Sequence, residues 1–121
     1  MGRKARLDLV LDCADPEKLV EFWREALDYR VYYSAASYAV LVPEDGTASP
    51  LVLQQVPEPK PGKNRMHVDI VTDDVEPEVE RLQAVGARRL HEGVQSLGPT
   101  RWVTMADPEG NEFCVCTGVE W

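Results

Sequence analysis

Residues 66–75 read MHVDIVTDDV, and residues 7–16 read LDLVLDCADP. At a constant offset of 59 residues, the two stretches share one pattern: an alternating apolar run, a short acidic stop and the start of a helix. Alternation with a period of two indicates a strand that buries one face. The repeat therefore predicts a chain built from two copies of one supersecondary unit.

Each copy continues with the pattern of an amphipathic helix. In the first copy, Asp15 is the predicted N-cap and Pro16 the first helical residue, where proline loses no hydrogen bond. In the second copy, Asp74 is the predicted cap and Gly86 the predicted left-handed end. The apolar faces at three- and four-residue spacing are Leu19, Val20, Phe22, Trp23, Ala26 and Leu27, and then Val75, Val79, Leu82 and Val85. Each stripe predicts one helix packed on a sheet.

Three short strand-like runs follow each helix. β-branched and aromatic residues favour strands, and the runs are 29–34, 37–42 and 50–56, and then 87–93, 100–106 and 112–116. We therefore expect an α+β fold of two βαβββ modules that pair as a half-barrel sheet with a cavity between them. The predicted boundaries within a single domain (1–121) are module 1 at 5–57, a proline-rich linker at 58–64, and module 2 at 65–117.

Composition restricts the class of protein. A chain of 121 residues with 44% hydrophobic residues, 28% charged residues and a net charge of -8 is typical of one soluble globular domain. The negative charge argues against nucleic acid as a partner. We expect no membrane segment and no secretory signal, because the chain has no sufficiently long apolar run, and we expect a cytoplasmic protein. Three scattered cysteines predict reduced thiols.

Three stretches carry a family resemblance. They are LDLVLDCADPEKLVEFWREALDY (7–29), HVDIVTDDVEPEVERLQAVGA (67–87) and DPEGNEFCV (107–115). Together they resemble the vicinal oxygen chelate superfamily, which contains glyoxalase I, extradiol dioxygenases and bleomycin-resistance proteins, and more narrowly its small bacterial glyoxalase-like domains. The resemblance implies a site for a small organic molecule and a homodimer.

The resemblance also implies a ligand set, with one residue on the first and one on the last strand of each module. These positions fall on Asp8, His67 and Cys114, and on Gln54 or Gln55, whose register stays open. His67, Asp8 and Gln54 are the implied metal ligands. Glu112 lies two residues before Cys114 and therefore on the same strand face, so it is the candidate substitute carboxylate and, in an enzyme, the candidate catalytic residue that moves a proton. Glutamine is a weak ligand and a thiol departs from the superfamily pattern. The cofactor is therefore either a divalent metal ion or none.

Two further candidates lie on opposite faces of the strand at 100–106. Arg101 would favour an anionic ligand if its face lines the cavity. Trp102 lies on the other face and is a candidate ligand contact if that face lines it. Simpler interpretations also apply: His67 is a hydrogen-bonded histidine near a sheet edge, and Cys114 is a small core residue.

These observations favour a metal-free or weakly metal-binding protein that binds or sequesters a small organic ligand. The alternative is a divalent-metal-dependent enzyme of lyase, isomerase or dioxygenase type, and glyoxalase I activity itself is not expected from this ligand set. A ligand-free structural module is the third interpretation, and a third strand after each helix argues against it.

Overall fold

The computed structural model describes residues 8–46, 48–64 and 66–117. The chain divides into two compact units, Met1–Pro59 and Lys60–Trp121, called here the first and second units. The elements of the first unit are β1 (Leu9–Cys13), α1 (Pro16–Leu27), β2 (Arg30–Ser34), β3 (Tyr38–Val42) and β4 (Leu51–Gln55). They form a sheet in the order β1-β4-β3-β2, in which β1 pairs parallel to β4 and the other pairs are antiparallel.

The second unit repeats this plan with one change. Its elements are β5 (Val68–Val71), α2 (Val75–Ala84), β6 (Arg88–Arg89), β7 (Gln95–Leu97), β8 (Thr100–Ala106) and β9 (Glu112–Cys116). The sheet order is β5-β9-β8-β6, with β5 parallel to β9, and β7 also pairs with β8. The predicted α+β class, with two sheets and two helices, is confirmed.

The predicted strand at 87–93 is wrong in its extent. Only Arg88 and Arg89 pair there, and pairing with β8 resumes at Gln95. Leu90 donates its N–H to the Thr104 carbonyl at 3.0 Å, and the Thr104 N–H donates to His91 Nε2 at 2.9 Å. The imidazole takes the place of a backbone acceptor, so the edge strand splits into β6 and β7.

Both helices begin where the sequence predicts. The Asp15 carboxylate accepts from the Lys18 N–H at 3.3 Å. Asp74 also stands at an N-cap, but its side chain makes no capping hydrogen bond with any described residue. Gly86, just beyond α2, has a φ of 117°, a conformation that favours glycine.

Each sheet buries one face against its own helix. In the first unit α1 packs on β2, β3 and β4, over the buried residues Ala39, Leu41, Leu51 and Leu53. In the second unit α2 packs on β6, β8 and β9, over Val103, Met105, Phe113 and Val115. Among the described residues, no helix combines the length and apolar character needed to cross a membrane.

The turn between β8 and β9 is built around a buried carboxylate, that of Asp107, which is only 2% exposed. Its Oδ1 accepts from the backbone N–H groups of Glu109 and Asn111, both at 2.9 Å, and Asn111 Nδ2 donates to both oxygens. Gly110 has a φ of 86°, which lets the chain close the turn. This turn sets the register of β9 against β8.

Candidate functional site

A cavity of about 610 Å³ lies on the face of the second sheet that points away from α2. It is called here the main cavity. Side chains from alternate positions of β8 and β9, from the chain leading into and through β5, and from the flanking segments line it: Lys63, His67, Asp69, Val71, Thr100, Trp102, Thr104, Glu112, Cys114, Cys116 and Thr117. The period-2 pattern of the strands explains this arrangement, because the intervening residues Val103, Met105, Phe113 and Val115 are buried on the helix side.

Three potential metal ligands converge in the main cavity. The donor atoms of His67, Asp69 and Cys114 all lie within 4.8 Å of one another. His67 Nε2 is 3.2 Å from Asp69 Oδ1, and the two side chains are 41% and 51% exposed. Asp69 pairs in register with Cys114 on the neighbouring strand. His67, two residues before Asp69, lines the same cavity.

The Cys114 thiol is half-buried and has a hydroxyl neighbour. Its Sγ is 3.7 Å from Thr104 Oγ1. Burial raises the pKa of the Cys114 thiol, and this outweighs the opposing effect of the Thr104 hydrogen bond. Burial also raises the pKa of Cys116 to about 11, with the Asp69 carboxylate acting in the same direction. Both thiols are therefore protonated at neutral pH, which does not suit a cysteine nucleophile.

Glu112 is engaged by the segment that precedes β5. Its Oε1 accepts from the Asn64 N–H at 2.8 Å, and its Oε2 from Lys60 Nζ at 2.9 Å. Burial alone would raise the pKa of Glu112, but the Asn64 N–H and the Lys60 ammonium together hold it below its ordinary value. An ionised carboxylate with both oxygens bonded is poorly suited to donate a proton.

The structure brings together four of the residues named from the sequence: His67, Trp102, Glu112 and Cys114 all line the main cavity. Arg101 lies on the opposite face of β8, beside a smaller cavity of about 300 Å³ that it shares with Asp73, Asp74 and Glu76. The face of β8 that lines the main cavity is therefore that of Trp102 and Thr104.

Asp8 and Gln54 belong to the first unit, and both are exposed. Gln54 lies on the sheet face away from α1, whereas the neighbouring Gln55 donates its Nε2 to the Ala14 carbonyl at 3.2 Å. Of the two glutamines, Gln54 thus has the orientation that the implied ligand position requires. A metal role for Asp8 and Gln54, and a cavity shared by the two units, stay predictions.

Asp69 is the residue that sequence reasoning missed. Its position two residues after His67, on the same strand face, was the available signal. The donors fit a metal that accepts nitrogen, oxygen and sulfur together, as Zn²⁺ does, better than Mn²⁺, which prefers oxygen and nitrogen.

The family model described as "Glyoxalase-like domain" matches residues 8–116. The chain belongs to this family. The resemblance to the vicinal oxygen chelate superfamily is thereby confirmed. A comparison of this glyoxalase-like domain with curated proteins gives no match.

Solved structures share the fold at low sequence identity. A glyoxalase/bleomycin resistance protein/dioxygenase family enzyme from Burkholderia phytofirmans is 15% identical with a TM-score of 0.74, covering 92% of this chain and 96% of that one. The E126Q mutant of the fosfomycin resistance protein FosX from Listeria monocytogenes, complexed with Mn(II) and 1S,2S-dihydroxypropylphosphonic acid, is 16% identical with a TM-score of 0.76. The coverage there is 98% of this chain and 93% of that one.

A protein from S. aureus described as hypothetical, SA1046, is similar to the same extent. It is 15% identical with a TM-score of 0.75, covering 97% of this chain and 96% of that one. At these identities, all three likenesses concern the fold of this glyoxalase-like domain.

Proposed function

We propose that this glyoxalase-like domain binds a small organic molecule in the main cavity. The observation that carries the proposal is the cavity itself, whose volume of about 610 Å³ falls in the range of small-molecule sites, roughly 300–1,000 Å³. Its wall combines the Trp102 ring with a few polar groups, chiefly His67 and Asp69. An aromatic surface with a small number of orienting polar groups is typical of such sites.

The side chains of the main cavity favour ligand binding without catalysis. Raised thiol pKa values argue against Cys114 as a nucleophile, and the bonded, ionised state of Glu112 argues against the catalytic role expected from the sequence. His67 lies 3.2 Å from the Asp69 carboxylate, which leaves its imidazole positioned to bind a polar group of a ligand. We therefore propose sequestration of the ligand as the primary activity.

A thermal-shift screen of planar aromatic molecules in the presence of EDTA tests this proposal. A ligand at a hundred times its Kd should stabilise the fold by about 2.7 kcal/mol. The Trp102→Ala variant should lose most of the ligand-dependent shift, measured from its own ligand-free Tm, while Tyr32→Ala, on the exposed β2 of the first unit, should keep it. The proposal fails if no molecule in the panel shifts the Tm, or if Trp102→Ala responds as the wild type does.

A divalent-metal-dependent enzyme of lyase, isomerase or dioxygenase type is the second candidate. The specific observation in its favour is the convergence of His67, Asp69 and Cys114 within 4.8 Å. These residues would hold the ion, which would supply a Lewis acid for a ligand oxygen. His67 Nε2 and Asp69 Oδ1, which lie 3.2 Å apart, would face the same ion, and Trp102 would form an aromatic part of the surrounding wall.

Elemental analysis after dialysis against Zn²⁺ and Mn²⁺ separates the two candidates. The metal-dependent function predicts one Zn²⁺ per chain and a loss of at least about tenfold in affinity in Cys114→Ser, the size expected for removing a ligand or its support. Cys13→Ser, a thiol of the first unit, should keep the wild-type stoichiometry. A chain that retains no divalent ion under either supplementation excludes this candidate.

We also propose a cytoplasmic homodimer, on the basis of the family membership. Sedimentation equilibrium should give twice the mass of the 13.6 kDa chain. A monomeric mass at micromolar concentration would contradict the dimer.

A further inference from the structure

The segment that leads into β5 is held on the edge of the main cavity by a set of contacts centred on Glu112. The Glu112 side chain is 16% exposed and binds the Lys60 ammonium and the Asn64 N–H, as described above. Asn64 Nδ2 also donates to the Glu112 carbonyl at 3.4 Å, and Lys60 Nζ donates to the Gly62 carbonyl. These contacts, called here the Glu112 clasp, fix both ends of the stretch that contains Lys63.

Lys63 is a cation of the main-cavity wall that pairs with neither of the wall's two carboxylates. Glu112 is paired with Lys60, and the Asp69 carboxylate lies 3.2 Å from His67 Nε2. Among the described residues, the Lys63 ammonium has no carboxylate within ion-pair distance, and its hydrogen bond is a long one, 3.5 Å to the Asn64 carbonyl. Lys63 lines the main cavity, together with Thr100, Thr104 and Thr117.

We propose that the main cavity selects ligands that carry an anionic group, that Lys63 recognises this group, and that Glu112 is the positioning residue that holds Lys63 in place. This inference rests on the proposed binding function and specifies its ligand class. The ligand is a planar molecule with a carboxylate or similar anion, its ring against Trp102 and its charge toward Lys63. An ammonium on a tethered segment loses less side-chain and backbone entropy when it pairs with a ligand.

Removing Glu112 should change the preference for anions in one direction if Glu112 positions Lys63, and in the other direction if it acts only through its own charge. A carboxylate near the cavity repels an anion, so removing it should strengthen anion binding if Glu112 acts only through its charge. If Glu112 positions Lys63, its removal should weaken the preference for anions. The two roles predict changes in opposite directions for one substitution.

The experiment uses matched probe pairs that differ in charge and hardly in shape: indole-3-acetate with indole-3-acetamide, and 2-naphthoate with 2-naphthamide. Isothermal titration gives the ratio of the amide Kd to the carboxylate Kd at low and high salt. The wild-type ratio should be roughly 2 to 5 at low salt, the range for a partly exposed charge pair, and should fall toward 1 as salt screens the pair. Lys63→Gln should give a ratio near 1, and Lys18→Gln, the same charge change on α1 of the first unit, should leave the ratio unchanged.

Two substitutions of Glu112 test the clasp. Glu112→Ala should reduce the ratio toward 1, and Glu112→Gln, which keeps an oxygen for the Asn64 N–H, should retain more of it. A partly unfolded variant binds both probes less well by the same factor, so loss of stability alone does not change the ratio.

The outcomes are distinguishable. A ratio that rises in Glu112→Ala overturns the positioning role, and a ratio that survives in Lys63→Gln overturns the assignment of Lys63. Equal binding of acid and amide to the wild type overturns the anion selectivity while leaving the binding function intact. Failure of every probe to bind overturns the proposed function and this inference with it.

Discussion

The two units share a scaffold but differ on the sheet face away from the helix. In the first unit, Val10, Val52 and Val40 lie side by side on β1, β4 and β3. The corresponding row of the second unit is Asp69, Cys114 and Thr104 on β5, β9 and β8. Three apolar residues in one copy thus correspond to a carboxylate, a thiol and a hydroxyl in the other. The repeat therefore preserves the core, while the polar groups of the candidate site are concentrated in the second copy.

The edge strands differ as well. In the first unit, β2 is continuous, with a register shift between Val31 and Tyr33. In the second unit the edge is split into β6 and β7, and His91 completes the hydrogen bonding of β8 between them. The hydrogen bonding at the edge of the second sheet therefore includes a side chain, that of His91.

The largest effect is expected at the turn that joins the last two strands of the second unit. Asp107→Ala removes the carboxylate that accepts from the buried Asn111 N–H and the partly buried Glu109 N–H, so the free energy of unfolding should fall by about 2–4 kcal/mol. Glu44→Ala, at an exposed position of the corresponding connection in the first unit, should change it by less than about 0.5 kcal/mol. Urea unfolding measures both, and similar losses would show that the two turns contribute alike.

Cys116 should make the free energy of unfolding depend on pH, whereas its counterpart on β4, Gln54, does not titrate. Burial, aided by Asp69, raises the pKa of the folded thiol from 9.0 to about 11. Below pH 9 the thiol is protonated in both states and its contribution is constant. Between pH 9 and 11 it ionises first in the unfolded chain, so stability falls, by about 2 kcal/mol in total.

Urea midpoints of the wild type and Cys116→Ala at pH 8, 9 and 10 test this expectation. Because all other groups titrate in both proteins, their difference in stability isolates the thiol. The free energy of unfolding of the wild type, relative to that of Cys116→Ala, should fall progressively above pH 9. A constant difference over this range would contradict the assigned shift.

The split edge strand should be sensitive to one imidazole. His91→Ala removes the acceptor of the Thr104 N–H and should lower the free energy of unfolding by about 1–2 kcal/mol. His91→Gln can supply an oxygen at a similar reach and should lose less. Ser37→Ala, at an exposed position in the turn beside the continuous edge strand of the first unit, is the control. An equal loss in all three variants would remove the distinction between the two edges.

The smallest effect concerns the helix caps. Asp15 bonds the Lys18 N–H, so Asp15→Ala should lower the free energy of unfolding by about 1 kcal/mol. Asp74 has no such bond to a described residue, and Asp74→Ala should lower it by less. Thermal unfolding of the two variants side by side measures the difference, and the reverse order would contradict the capping geometry.

Local signals account for the parts of the fold that the sequence predicted well. The start of α1 at Asp15 and Pro16 depends on neighbours in the chain, and the predicted strands at 100–106 and 112–116 match β8 and β9. The split of β6 from β7 escaped prediction because it depends on the contact between His91 and Thr104, 13 residues apart.

The candidate site was likewise predictable only where it depends on local sequence. Alternation placed His67, Trp102 and Cys114 on candidate faces, and the structure selects the face of Trp102. The sequence did not predict the register of the last strand in each unit. Leu9 of β1 pairs with Leu51 of β4, and Val68 of β5 pairs with Phe113 of β9. The first strands therefore correspond at an offset of 59 residues, whereas the last strands correspond at an offset of 62. The counterpart of Cys114 is therefore Val52, and that of Gln54 is Cys116. The partners of Glu112 also escaped prediction, because Asn64 lies 48 residues away in the chain.

The parallel pairing of β1 with β4 and of β5 with β9 has a consequence for how the chain reaches this structure. Each pair joins residues more than forty positions apart, and the connecting chain contains all the other elements of its unit. Closing so long a loop requires entropy to be lost before the contacts form, which slows folding. During synthesis, the first strand of each unit therefore stays unpaired and exposed until the last strand of that unit has left the ribosome and can pair with it.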